Sequence, residues 1–115
     1  MYGVISPNIK NYKSTHFNNP PYYGAAKAAL IQYTKYAAIH LAKYNIRVNC
    51  ISPGPFPNKI IQKNKHFIKN LKKNVPLNRT GKLKDLKTSV VFLCSPNSSY
   101  ITGINLPVDG GWTIW

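Results

Sequence analysis

Acidic side chains are almost missing from this sequence. Asp85 and Asp109 are its only carboxylates, against 16 lysines and arginines in 115 residues. With no locally spaced acidic pair, glycosidase chemistry lacks its acid and its base. An oxygen-rich magnesium or calcium site lacks its ligands. His16, His40 and His66 form no HExxH and no close cluster, so a zinc site is not expected and no metal role is assigned. Cysteine is nearly absent too: Cys50 and Cys94 stand far apart without CxxC spacing, each in an apolar segment, and are read as buried thiols. No stretch approaches the ~20 continuous apolar residues of a membrane helix. The start, MYGVISPNIK, shows no basic and apolar leader with a cleavage site, so a cytoplasmic protein is expected. Whatever chemistry the chain performs must use tyrosine, lysine, serine or backbone groups.

What is plentiful is lysine. The net charge of +14 invites a nucleic-acid reading, because basic patches attract phosphate backbones. Only Arg47 and Arg79 are arginines, however, and arginine is the better bidentate phosphate ligand. The lysines are also spread along the whole chain with asparagine, isoleucine and tyrosine. That composition describes a solvated surface more than a built interface. The length and the 43% apolar fraction suit one small domain, residues 1–115, with a modest core.

The organising stretch is Pro20 to Tyr44, PPYYGAAKAALIQYTKYAAIHLAKY. Two prolines lead into an amphipathic helix, with Ala26, Leu30, Tyr33, Ala37 and Leu41 as the expected buried stripe. Its first turn carries Tyr23 and Lys27. Four-residue spacing puts both on one face of a helix. A phenol ordinarily keeps its proton until pH ~10, and a neighbouring ammonium favours the phenolate. The pair is therefore a candidate acid/base.

The remaining chain alternates element types. Met1 to Ser6 reads as the end of a short strand, and Pro7 to Pro21 as a long exposed loop. Asn45 stops the helix, and Ile46 to Ile51 reads as a strand. It runs into Ser52-Pro53-Gly54-Pro55-Phe56-Pro57, a loop at the carboxyl end of a strand, where open α/β sheets bind ligands. Asn58 to Val75 reads as one basic helix with Ile60, Ile61, Phe67, Ile68 and Leu71 on its apolar side. Pro76 to Lys82 is a turn. Leu83 to Cys94 is a helix with Asp85 in its first turn and Leu86, Val90, Phe92 and Leu93 buried. After a polar loop, Ile104 to Val108 reads as a last strand, ended by Asp109-Gly110-Gly111. Trp112, Ile114 and Trp115 form an apolar tail, expected to pack on a neighbouring subunit.

Four landmarks in this order resemble the C-terminal half of a short-chain dehydrogenase/reductase. They are Tyr23-Gly-Ala-Ala-Lys27, Ile46-Arg-Val-Asn-Cys-Ile-Ser-Pro-Gly54, Pro76-Leu-Asn-Arg79-Thr-Gly81, and Tyr100-Ile-Thr-Gly-Ile-Asn-Leu-Pro-Val-Asp-Gly-Gly-Trp112. The alternatives to the first fail, since Tyr22 is followed four residues later by Ala26 and Tyr36 by His40. The resemblance, closest to gluconate 5-dehydrogenase-like members, implies an α/β fold: the C-terminal portion of a Rossmann-type doubly wound parallel sheet. The first strands and the glycine-rich turn are not in the sequence, and two strands alone would leave an open sheet edge. It further implies NAD or NADP as cofactor, a small polar carbonyl or alcohol as substrate, and a homo-oligomer.

In that reading Tyr23 exchanges the proton on the substrate oxygen. Lys27 holds the nicotinamide ribose and lowers the Tyr23 pKa, and Pro53, Gly54, Pro55 and Phe56 lie against the carboxamide. The lysine-rich helix that follows would cover the substrate. Residues 7–21 resemble an insertion shaping the pocket. Three family features lack a counterpart. Pro57 and Asn58 stand where a threonine is common, no GxxxGxG occurs to hold a pyrophosphate, and the catalytic serine would fall just before Met1. Ser6 and Ser14 are the serines available upstream of Tyr23, neither at the family position. The alternatives to a dehydrogenase fragment are a non-catalytic remnant that pairs with an intact homologue and the basic nucleic-acid binder considered above.

Overall fold

A computed structural model describes residues 1–13 and 15–115. Helix α1 spans Pro21–Leu41 and is followed by a 3-10 turn at Ala42–Tyr44. Pro20 caps it and Pro21 opens it, where a missing N–H costs nothing and the ring presets φ. Asn45 closes the segment in the left-handed conformation, φ 57°, its N–H donating to the Ala42 carbonyl. Strands β1 (Cys50–Pro53) and β2 (Asn105–Val108) form a parallel two-stranded sheet, with Cys50 opposite Asn105 and Pro53 opposite Val108. Between them lie α2 (Lys59–Gln62), α3 (Lys65–Lys73) and α4 (Leu83–Cys94). A parallel pair joined by helices is a crossover unit. The chain is thus α/β, matching part of a Rossmann-like sheet.

Several sequence expectations are corrected. Met1 to Ser6 is a turn and not a strand. The stretch read as an exposed loop holds a 3-10 turn at Ile9–Tyr12 with Asn11 buried. Tyr12 and Phe17 from the same stretch pack on Phe67, with ring centroids 5.5 and 4.9 Å apart. Strand β1 begins at Cys50 and not at Ile46. Before it, side chains take over the bonding that a ladder would make. The Val48 N–H donates to the Thr102 hydroxyl, and Asn49 bridges the Ile101 carbonyl and the Ile104 N–H. The expected single helix from Asn58 to Val75 breaks in two, because Asn64 caps a fresh start. Its Oδ1 accepts from the Phe67 N–H at 2.9 Å, as the Asn58 Oδ1 does from Ile61.

The core is built from Tyr2, Phe67, Leu71, Val75 and Trp112. Trp112 therefore packs within its own chain, and only Ile114 and Trp115 remain exposed. The buried face of α1 is Thr34, Ala37 and Ala38, against which Gly103 packs. Of the expected stripe, Ala37 is buried and Leu41 half-buried, but Ala26, Leu30 and Tyr33 are exposed. On α4 Leu93 is buried and Leu86 half-buried, whereas Val90 and Phe92 are exposed. Amphipathic periodicity marks faces able to be covered, and these residues have no cover within the described chain. Both cysteines are free; Cys50 is half-buried and Cys94 exposed, so the buried-thiol reading fails for Cys94.

Candidate active site

The first turn of α1 presents Tyr23 and Lys27 on one face. The Lys27 ammonium lies 5.4 Å from the centroid of the Tyr23 ring, within cation–π range. Tyr23 is 45% exposed, so its phenol is reachable from solvent and not sealed in the core. The turn at the chain start sets this helix end in place. Gly24 lies beneath the Tyr2 carbonyl, and any side chain at Gly3 would strike the backbone of Lys27 and Ala28.

Across from the pair runs the loop after β1. Its Gly54 N–H donates to the Val108 carbonyl at 3.0 Å, and the Pro55 carbonyl accepts from the Gly81 N–H at 2.9 Å. Gly81 is a flat bed for the Phe56 ring, since a Cβ there would overlap it. One cleft of about 770 Å³ separates helix and loop. Tyr23, Lys27, Pro53, Gly54, Pro55 and Phe56 all line it. The six candidate residues chosen from the sequence are thus brought to one concavity, at the carboxyl end of β1, where open α/β sheets place ligands.

The other walls come from the two segments that the family resemblance assigns to the pocket, although their side chains are not singled out there. Helix α3 contributes Phe67 and Leu71, and the stretch before α1 contributes Tyr12, His16, Phe17, Asn18 and Asn19. The signal available was two aromatics, Tyr12 and Phe17, five residues apart in an otherwise polar run. The Tyr2 and Tyr12 hydroxyls meet at 2.9 Å, and the Asn19 amide donates to the Tyr12 hydroxyl at 3.4 Å. Burial, then the Tyr12 contact, pushes the Tyr2 phenol well above its ordinary range, so it stays protonated.

Of the serines considered, Ser6 is exposed and does not line the cleft, and Ser14 lies outside the described residues. Ser52 does line it, but its hydroxyl donates to the Asn105 Oδ1 at 2.7 Å. Pro57 lines the cleft and Asn58 is committed to capping α2. Among the described residues, no group of three His, Cys, Asp or Glu side chains is placed to hold a metal, and no helix is long and apolar enough to cross a membrane.

Residues 8–113 match the family model described as Enoyl-(Acyl carrier protein) reductase. The chain belongs to the short-chain dehydrogenase/reductase family. It is 38% identical over 102 residues to a tropinone reductase homologue of Arabidopsis thaliana, covering 86% of this chain and 39% of that protein. It is 42% identical over 90 residues to a 3-oxoacyl-[acyl-carrier-protein] reductase of Chlamydia trachomatis, covering 77% of this chain and 36% of the relative. Among solved structures, a short chain dehydrogenase from Leptospira borgpetersenii with bound NAD+ superposes with a TM-score of 0.85 at 43% identity. That match covers 97% of this chain and 41% of the other. The chain spans about two-fifths of the length of the relatives it matches.

Proposed function

We propose that this chain carries the proton-transfer part of a nicotinamide-dependent oxidoreductase acting on a small polar alcohol or carbonyl compound. One observation supports the reading above others: Tyr23 and Lys27 face the Pro53–Phe56 loop across a single cleft. The donor set fits the nicotinamide-ribose end of NAD or NADP. Lys27 offers three N–H donors for ribose hydroxyls, and the loop offers backbone groups for a carboxamide. No glycine-rich turn occurs in the sequence, so the pyrophosphate has no helix N-terminus here. When bound, the cofactor supplies or accepts the hydride.

In this reading Tyr23 gives its phenolic proton to the carbonyl oxygen of the substrate, or takes the hydroxyl proton in the reverse direction. Lys27, held over the same ring, stabilises the negative charge that Tyr23 carries between turnovers. Tyr12, Phe17, Phe56 and Phe67 give the cleft apolar walls around the reacting oxygen. The exposed apolar side chains of α1 and α4, among them Tyr33, Tyr36, Ile39, Val90 and Val91, support assembly with a further polypeptide, a second copy in the simplest case.

The test grafts this chain onto the matching position of the Leptospira relative and follows nicotinamide absorbance over a panel of alcohols. Tyr23→Phe is expected to lower kcat by about 10²–10⁴-fold, the usual worth of a positioned acid/base. Full activity in Tyr23→Phe would overturn the assignment.

A further inference from the structure

The cleft is lined by hydrogen-bond donors and cations without an opposing acid. The chain's two carboxylates both line a different cavity, on the far side of the Gly54–Phe56 loop. There Asp85 is held by Arg79, and Asp109 by Thr113 and the Gly111 N–H. Among the described residues, the polar groups facing the candidate site include Lys27, His16, Asn18, Asn19 and the Tyr2–Tyr12 pair, and no carboxylate.

The tyrosine pair leaves one donor unspent. Two phenols that share one hydrogen bond use one proton between them. If Tyr2 donates, the Tyr12 oxygen accepts from both Tyr2 and Asn19, and the Tyr12 proton is free. If Tyr12 donates, the Tyr2 proton is free. In either arrangement an O–H in the cleft wall has no acceptor among the described residues. Where Tyr2 carries the free proton, burial holds its phenol above the ordinary range and the proton stays. A part-buried O–H on the cleft wall is open to a ligand that accepts a hydrogen bond.

Resting on the oxidoreductase reading above, we infer that the substrate is a carboxylate-bearing hydroxy or oxo acid. Its carboxylate docks at the Tyr2–Tyr12–Asn19 corner beside His16, while its alcohol or carbonyl oxygen meets Tyr23. Hydrogen bonds from a phenol and an amide to an anion are the strong, charge-assisted kind. A neutral alcohol of the same size makes weaker bonds at this corner and forfeits the attraction of a wall with no opposing charge.

The full 115-residue chain is titrated with 3-hydroxybutyrate and, separately, with butane-1,3-diol, which replaces the carboxylate by a hydroxymethyl group. Amide resonances are followed by heteronuclear NMR. The acid is expected to shift Tyr12, His16 and Asn19 saturably and to bind at least about tenfold tighter than the diol. The double variant Tyr2→Phe/Tyr12→Phe keeps both rings and removes both hydroxyls. It should weaken the acid about tenfold and the diol by much less. Asn19→Ala, which touches no core ring, should weaken the acid in the same direction if the double variant fails to fold. Equal binding of acid and diol, no saturable shift by the acid, or acid binding indifferent to these substitutions would overturn the inference. Tyr23→Phe separates the two claims. It should lower turnover in the graft by about 10²–10⁴-fold while the acid still binds more tightly than the diol, so retained turnover sinks the acid/base reading and not the carboxylate corner.

Discussion

Replacing Gly54 by alanine tests whether the site loop is held as tightly as its contacts imply. An ideal Cβ at Gly54 would sit 2.5 Å from the Asp109 Cα, 2.8 Å from its carbonyl oxygen and 2.9 Å from its Cβ. Ordinary carbon–carbon contact begins near ~3.5 Å, so the two chain segments must part by about 1 Å. None of those atoms is the mobile end of a long side chain. The Gly54 N–H is meanwhile tied to the Val108 carbonyl at 3.0 Å. Parting the segments strains that bond, worth ~1 kcal/mol net, and adds an overpacking cost of about 1–3 kcal/mol. The expected loss is about 2–4 kcal/mol. Urea titrations of the wild type and Gly54→Ala, followed by the fluorescence of buried Trp112, measure it. The same variant should speed amide exchange at Gly54. A variant within ~0.5 kcal/mol of wild type would show that the contact yields freely and that the loop is not pinned to β2.

Other consequences concern single contacts. Phe67 is buried where Tyr12 and Phe17 meet α3, so Phe67→Ala should cost about 3–5 kcal/mol, read from the same titration. Arg79→Ala, which breaks an exposed pair with Asp85, should leave the unfolding midpoint nearly unmoved, since exposed pairs contribute little. Burial alone pushes the Asp109 carboxyl up, but hydrogen bonds from the Thr113 hydroxyl and the Gly111 and Thr113 amides outweigh it and hold the carboxyl below its ordinary value. That stability is present above the unfolded carboxylate pKa and is lost as pH falls below ~4. Thr113→Val should therefore flatten the acid limb of a melting-temperature profile. Cys94 is exposed and Cys50 half-buried, so a thiol reagent under native conditions should label Cys94 first, as peptide mapping would show.

The parts of this molecule legible in its sequence are those governed by short-range rules. The prolines that open α1, the asparagine that ends it, Asp85 in the first turn of α4 and the glycines after β2 each act on their nearest neighbours. Tyr23 and Lys27 could be paired because helical spacing alone sets them on one face. The loop at Pro53–Phe56 is placed at a strand end by its prolines and glycine, and its tie to a site comes with the family resemblance of the four landmarks.

The rest depends on what lies opposite. Leu30 and Tyr33 occur at core spacing, yet they are exposed, because spacing names a face and not its partner. The segment before α1 looked like solvent-facing loop, since its polar residues outnumber its aromatics. Tyr12 and Phe17 find Phe67 only once α3 folds back over them, a contact fifty or more residues distant in the chain. Asn64 illustrates the same limit on a smaller scale. An asparagine inside a helical pattern can be a weak interior residue or a strong cap, and here its Oδ1 accepts from the Phe67 N–H and it caps. Once Asn64 caps α3, the new helix axis carries Phe67 and Leu71 into the cleft wall beside Tyr12. The corner that we assign to a carboxylate thus follows from a cap and three aromatic rings, none of which sits in a recognisable motif.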